Sequence, residues 1–466
     1  MHVCKAAKIA LVVVASISGV YAHSAGPDPG YTGAPGDSPL ACASAGCHTG
    51  SRTGGPINAA GGGVAATFSA GANYTPGSQP ITIRVSVSDP VNKNFGFQMT
   101  ARLGSNKANG QAGTFTSTTG NFVQCSNGSI RRTTCPAASP IEFIEHSQPA
   151  SAPWTFTWTP PATNVGDVYF YVAGNAVNLN GTEDAGDHVY TASFVLHPLL
   201  CTTTKPAITS INSVGDFGGF SNFTGGSWLE LRGTNLAAST RNCLGTANFG
   251  CWEGPDFNGS AAPTTFDGVS VNINGKPAFV SFVSPGQVNI QAPADSATGQ
   301  VAVQVKNCSA QSDPINFARA ASAPGILAPA AFKVGGKQYA VAQFSDQVFV
   351  GNTGLIAGAT FRPAKPGDGL TIYGVGFGDV NPAVAPGTIT GALNSLSTPV
   401  SFSFGSTAAT LSYQGLSPGF VGLYQFNLVV PNVADGDQPL NVSLGGTPLP
   451  QALFLTVKGS SPPLGK

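Results

Sequence analysis

The chain has 466 residues, with 21 Lys and Arg against 21 Asp and Glu, so it lacks the basic excess that a nucleic-acid or anionic-lipid partner would favour. Hydrophobic residues make up 42% and recur in alternating runs, which excludes a disordered chain despite 60 Gly and 36 Pro. So much Gly and Pro, with only 9% charged residues, argues for many short strands joined by turns and for an all-β fold of roughly three domains.

The N-terminus reads as a signal peptide over 1–22. Lys5 and Lys8 precede an apolar run, and Val20-Tyr21-Ala22 offers small residues for cleavage before His23. No later stretch approaches the ~20 apolar residues of a spanning helix, so no membrane span is expected. Loss of Cys4 leaves eight cysteines of the nine, an even number suited to an oxidising, extracellular or cell-surface location. Spacing suggests Cys125 with Cys135, Cys243 with Cys251 and Cys201 with Cys308, among the many connectivities eight cysteines allow. Cys42 and Cys47 are then left over.

Those two lie in a Cys/Gly-rich segment, 23–60, as Cys42-Ala43-Ser44-Ala45-Gly46-Cys47-His48. Three readings stand open. Cys42 and Cys47 attach a haem c, with His48 as an axial iron ligand; the group holds another metal; or the thiols form one disulfide beside an ordinary histidine. A second axial ligand would come from Met99, His146 in a polar loop, His188 at a strand start or His197 at the module's end, although each reads better as a structural residue. His23 would offer an amine and an imidazole to copper, and the polar loop 178–187 offers oxygen ligands that suit calcium. A flexible terminus and a solvated turn are the plainer readings.

Period-two segments follow at Ile81–Val87, Phe95–Thr100, Trp154–Trp158, Val168–Ala173 and His188–Val195, and they predict an antiparallel sandwich over 61–199. Gly26-Pro27, Tyr31 to Gly36, the Cys/Cys-His group, Gly96-Phe97-Gln98, Gly113-Thr114-Phe115, Trp154 to Trp158, Gly174-Asn175 and Gly186-Asp187 together resemble the Reeler-like (reelin-type, choice-of-anchor) domain of bacterial exported proteins. That resemblance implies an immunoglobulin-like sandwich at the cell surface and no established reaction. Members of that family usually carry Cys-x-x-Cys-His, the haem c signature, and this chain departs from it with four residues between the thiols.

The remainder reads as a repeat, 200–322 and 323–457. Gly226 to Gly233 answers to Gly367 to Gly374. Gln287-Val288-Asn289-Ile290-Gln291-Ala292-Pro293 answers to Gln425-Phe426-Asn427-Leu428-Val429-Val430-Pro431. Each half resembles the immunoglobulin-like IPT/TIG fold. The whole, through Gly233-Thr234-Asn235-Leu236, Val283 to Asn289, Ala323-Pro324-Gly325-Ile326 and Gly415 to Gln425, is similar to a Solibacter-type C-terminal domain of exported bacterial proteins with no assigned activity. A Pro/Ala-rich stretch, 323–331, links the halves, and 458–466 is expected to be a disordered tail. Gly374-Val375-Gly376-Phe377-Gly378 precedes no helix start and reads as a strand running into a turn, not as a phosphate loop.

No Gly-x-Ser-x-Gly elbow or comparable nucleophile setting appears. The expectation is an all-β chain of tandem antiparallel immunoglobulin-like β-sandwiches. It is exported and non-enzymatic, and it binds a surface, glycan or protein ligand. The alternative is an extracellular haem c redox protein.

Overall fold

The structure, a computed structural model, describes residues 26–44, 48, 57–150, 153–180, 184, 186–241, 243 and 251–459. The expected leader, His23, Cys47 and the tail from 460 onward lie outside the described residues, as does part of the 178–187 loop. Among the described residues there are strands and four single-turn 3₁₀ helices, and no helix is long and apolar enough to cross a membrane. The chain divides into two compact units, 1–198 and 199–466.

The first unit is a sandwich. One sheet orders the strands Gly63–Phe68, Ile81–Ser88, Trp154–Thr159 and Thr114–Thr116. The other centres on Asn94–Leu103 and Val168–Val177, flanked by His188–Pro198 on one side and Glu142–His146 on the other. Ile81–Ser88 alternates strictly between buried and exposed, as a strand with one face on the core must. Trp154, Phe156 and Trp158 share the buried face of their strand. There Phe97 stacks on Phe156 with centroids 5.7 Å apart, and Trp158 meets Phe170 edge-on at 5.0 Å. Met99 is fully buried in this core, the usual place for a flexible gap-filler.

Asn94–Leu103 departs from alternation, because eight consecutive residues of it are buried. Its outer face is covered by the segment 26–44, which lies over the sheet as a strap. The Tyr31 amide donates to Gln98 Oε1 (2.9 Å), Gln98 Nε2 donates to the Asp28 carbonyl (3.0 Å), and Arg102 pairs with Asp37 at 2.8 Å. Asp37 also accepts from the Thr32 hydroxyl at 2.6 Å, which ties the Thr32 to Gly36 motif to the sheet. The glycines of the sequence motifs are packing requirements: a Cβ at Gly96 would lie 2.5 Å from Cε1 of His146, and one at Gly113 (φ 62°) would lie 2.4 Å from the Thr159 carbonyl.

In the second unit the repeat is exact at the level of register. Leu229, Glu230 and Leu231 pair with Ile290, Asn289 and Val288, as Leu370, Thr371 and Ile372 pair with Leu428, Asn427 and Phe426. The neighbouring strand bulges at Ser281 in one half and Ser412 in the other, and each serine hydroxyl donates to the carbonyl of the paired asparagine at 3.3 Å. The Gly374 run leaves its strand at Val375 into left-handed glycines at 376 and 378. The 323–331 stretch is more than a linker. Gly325–Ile326 pairs with Val375 and Gly374 as a strand of the second sandwich, because its small residues fit an edge where both the Gly374 backbone and Phe217 approach closely.

The two sandwiches of this unit share a cluster of Phe217, Trp228, Val375, Val421 and Leu423. Trp228 stands where the repeat has Gly369, so the symmetry is broken where one half must pack on the other. Gln291 stands where the repeat has Val429. It donates to the Gly226 carbonyl (3.1 Å) and accepts from the Gly387 amide (2.6 Å), joining the sandwiches.

Candidate functional site

The stretch that the sequence singles out sits at one edge of the strap. Ala41, Cys42 and Ala43 form a single 3₁₀ turn packed on Ala173 and Val189 of the sheet. Small side chains are what permit this turn to lie flat on two adjacent strands. Cys42 Sγ lies 4.0 Å from the Tyr31 carbonyl, and the His48 amide donates back to the Cys42 carbonyl at 3.2 Å. Cys47 lies outside the described residues.

His48 Nδ1 lies 2.8 Å from Asp187 Oδ2, and Asp187 is buried. A carboxylate on Nδ1 fixes the tautomer and leaves Nε2 as the lone-pair nitrogen. Asp187 also accepts from the Asn178 amide (3.1 Å), so the described ends of the 178–187 loop meet at the same carboxylate. Within that loop Asp184 accepts from Asn178 Nδ2 (3.0 Å) and from the Gly186 amide (2.7 Å), as in a polar turn.

The other histidines are each placed. His188 Nδ1 and the Tyr190 hydroxyl both meet Asp89 at 2.6 Å. Burial works against the Asp89 charge, but the bonds from Tyr190, the Asn92 amide, His188 and the Val91 amide outweigh it and hold the carboxyl well below the usual range. The same environment pushes Tyr190 up to about 12, through burial first and Asp89 second. His197 Nδ1 meets Asp167 at 2.8 Å.

His146 differs from its expected place in a polar loop. It ends the Glu142–His146 strand, every residue of which is buried. The reason is the strap and the neighbouring strands, which cover a face that would otherwise be wet. His146 Nδ1 lies 3.1 Å from both the amide nitrogen and the carbonyl oxygen of Phe97, accepting from the first when it carries no proton and donating to the second when it does. Burial lowers its pKa, and nearby His48 lowers it further against the opposing backbone bond at Phe97. Next to it, Glu145 is fully buried. It accepts from Gln98 Nε2 at 2.6 Å, and its Oε1 has no hydrogen-bond partner. Burial pushes Glu145 up to about 8, with the Gln98 bond opposing and Asp28 adding to the rise. Glu145 was not apparent as a notable residue in the sequence, although a Glu flanked by Ile and His inside an apolar run is the signal that marks it.

Three disulfides are present: Cys125–Cys135, Cys201–Cys308 and Cys243–Cys251, with Cα separations of 5.6, 5.7 and 4.6 Å. Among the described residues no group of three or more His, Cys, Asp or Glu is arranged to hold a metal ion. Met99 and His146 are inside the packed sandwich, while His188 and His197 are engaged by carboxylates. Of the predicted ligand set among the described residues, the structure places His48 in backbone contact with Cys42 and near enough to the buried His146 for the two rings to interact electrostatically.

Residues 65–174 match the Reeler domain family, and residues 206–318 match the IPT/TIG domain family. Among solved structures, a crystal structure of the human F-spondin reeler domain is 15% identical, covering 29% of this chain and 87% of that one, with a TM-score of 0.21. The extracellular region of plexin A4 is 11% identical, covering 82% of this chain and 33% of that one, at a TM-score of 0.18. A Bacteroides ovatus mixed-linkage glucan utilization locus protein, SGBP-B, solved with a mixed-linkage heptasaccharide, is 10% identical over 74% of this chain and 63% of that one, at 0.24. No curated protein matches the chain.

Proposed function

We propose, for a chain that carries a Reeler domain followed by an IPT/TIG domain, an exported, non-enzymatic role in binding or adhesion at a cell surface or in the extracellular space. The observation that carries the reading is the construction of the second unit. Its two sandwiches are held in one arrangement by Trp228, Gln291 and a shared apolar cluster, and a disulfide fastens the start of the unit to Cys308. Such a scaffold presents loops at fixed spacing, which is what a binding protein needs and a lone catalytic residue does not supply. Disulfides support an oxidising compartment.

The test is retention of the purified chain on bacterial cells and on insoluble polysaccharides, with reduced and boiled protein as controls. Saturable binding to at least one surface is expected. A chain that washes off every surface like the boiled control sinks the reading.

One observation favours a second reading, haem c at Cys42, Cys47 and His48. The Asp187 carboxylate on His48 Nδ1 is the support that metal-ligating imidazoles commonly have. Cys42 and Cys47 would hold the group and His48 would face its iron. Bound there, haem would supply one-electron transfer. This chain's own contribution is to orient the imidazole through Asp187 and to keep the Cys42 side wall dry through Ala41, Ala43, Ala173 and Val189. Expression beside a periplasmic haem-attachment system, followed by a visible spectrum and an intact mass, tests it. A Soret band and a haem-sized mass gain, both lost in Cys42→Ala, are the expected result. A colourless protein with Cys42 joined to Cys47 ends the idea.

A further inference from the structure

Between the two sandwiches of the second unit lies a cavity of about 540 Å³, within the range that accommodates small ligands. Gln291 lines it and couples its two sides. Arg319, the last residue of the Ile315–Arg319 strand, also lines it and is only 7% exposed. Its two terminal nitrogens donate to the backbone carbonyls of Ala297 and Asp295, and its Nε has no hydrogen-bond partner. Among the described residues no carboxylate pairs with this guanidinium. The Asp295 side chain is engaged elsewhere, by Asn274 at 2.8 Å, the Ala297 amide at 3.1 Å and Lys276 at 3.4 Å.

A guanidinium taken out of water without a counter-charge is expensive, and the fold does not demand one here. Gly299 pairs with Arg319 as Gly436 pairs with Val457 in the other half of the repeat. Val457 is an ordinary core residue with no exposure. The first sandwich thus keeps a buried cation, at the wall of a cavity, where its own repeat makes do with valine.

We propose that the cavity binds a small acidic carbohydrate, a uronate of one or two sugars, with its carboxylate on Arg319. Each terminal nitrogen of the guanidinium carries a second N–H beyond the one spent on a carbonyl, and a planar fork suits a carboxylate. On the side of the second sandwich, Asp379, Thr388 and Thr398 line the same space and offer acceptors and hydroxyls to ring hydroxyl groups. The inference rests on the binding reading above and adds to it the site, the ligand class and the charge.

The experiment is titration calorimetry of the full chain with digalacturonate at pH 7, with neutral galactobiose as the comparison. Saturable binding of the uronate is expected, with the neutral sugar at least about tenfold weaker, as loss of a charge-assisted bond predicts. Arg319→Gln should weaken uronate binding by about tenfold or more. Thr398 is exposed, so charge can be placed there without entering a core: Thr398→Glu should weaken the uronate several-fold, and Thr398→Lys should not. No uronate uptake by the native chain, equal affinity for the neutral sugar, or equal binding by the Glu and Lys variants overturns the inference. Cell-surface retention that survives Arg319→Gln and Thr398→Glu sinks this site as the adhesive one and leaves the binding role standing. Uronate uptake by a chain that adheres to nothing does the reverse.

Discussion

Glu145 is a carboxyl in a fully buried place, with one oxygen served by Gln98 and the other by nothing. Its proton is retained up to about 8 in the folded chain, against an ordinary value of 4.5. Below the lower of these both states hold the proton and the group has no effect on stability. Between the two, the unfolded chain ionises while the folded one does not, so stability falls as pH rises, and above the folded value the loss is complete. Glu145→Gln keeps an acceptor for Gln98 and removes the titration. Chemical denaturation at pH 5 and pH 9 should show the native chain losing a few kcal/mol, on the order expected for so large a shift, and the variant losing much less. Equal losses would show that another group carries the dependence. The partners of this residue explain what could be read from sequence and what could not. Gln98 belongs to a motif visible in the chain, but that Tyr31, Asp28 and Glu145 all converge on it follows from the strap, and no local periodicity encodes a segment crossing a sheet some seventy residues away. His146 departs from a polar-loop position for the same reason: Glu-His beside Ser reads as wet until something covers it.

At the scale of strands, legibility was high wherever one face is buried and one is wet, as in Ile81–Ser88, and in the Gln-x-Asn runs, whose common spacing in both halves already implied a common register. The departures from the repeat are equally visible in the sequence. Trp228 against Gly369, and Gln291 against Val429, mark the positions at which one sandwich is specialised to meet the other. Gln291→Ala would strand the buried Gly387 amide and take the donor from the half-buried Gly226 carbonyl. A buried group costs about 1–3 kcal/mol when left unsatisfied. Denaturant unfolding of the variant should show a loss of at least that order, together with a broadened transition as the two sandwiches begin to unfold separately. A loss below about 0.5 kcal/mol, the range of ordinary surface substitutions, would show that the apolar cluster alone holds them.

For the molecule as a whole, the disulfides carry the stability that the loops do not. Cys201–Cys308 closes a loop with a sequence separation of 107, and in the chain-entropy treatment a loop of that size is worth about 4–5 kcal/mol. Cys201→Ser with Cys308→Ser should therefore lower the unfolding free energy of the second unit by about 2–5 kcal/mol while leaving the first unit's transition in place. Coincident loss in both transitions would contradict the division into two units.

The same bond sits three residues after the boundary between the units, and that has a mechanical meaning. Tension arriving from the first unit enters the second at Cys201 and crosses directly to Cys308, so the polypeptide between them never bears load. With a separation of 107 residues, roughly 360 Å of extensible chain is withheld from stretching at ~3.4 Å per residue. A single molecule pulled by its ends should lengthen by that much less than its reduced counterpart, and the part of the first sandwich between Cys201 and Cys308 should stay folded on itself while the Ile315–Arg319 strand and the second sandwich, which lie beyond the bond, take up the load.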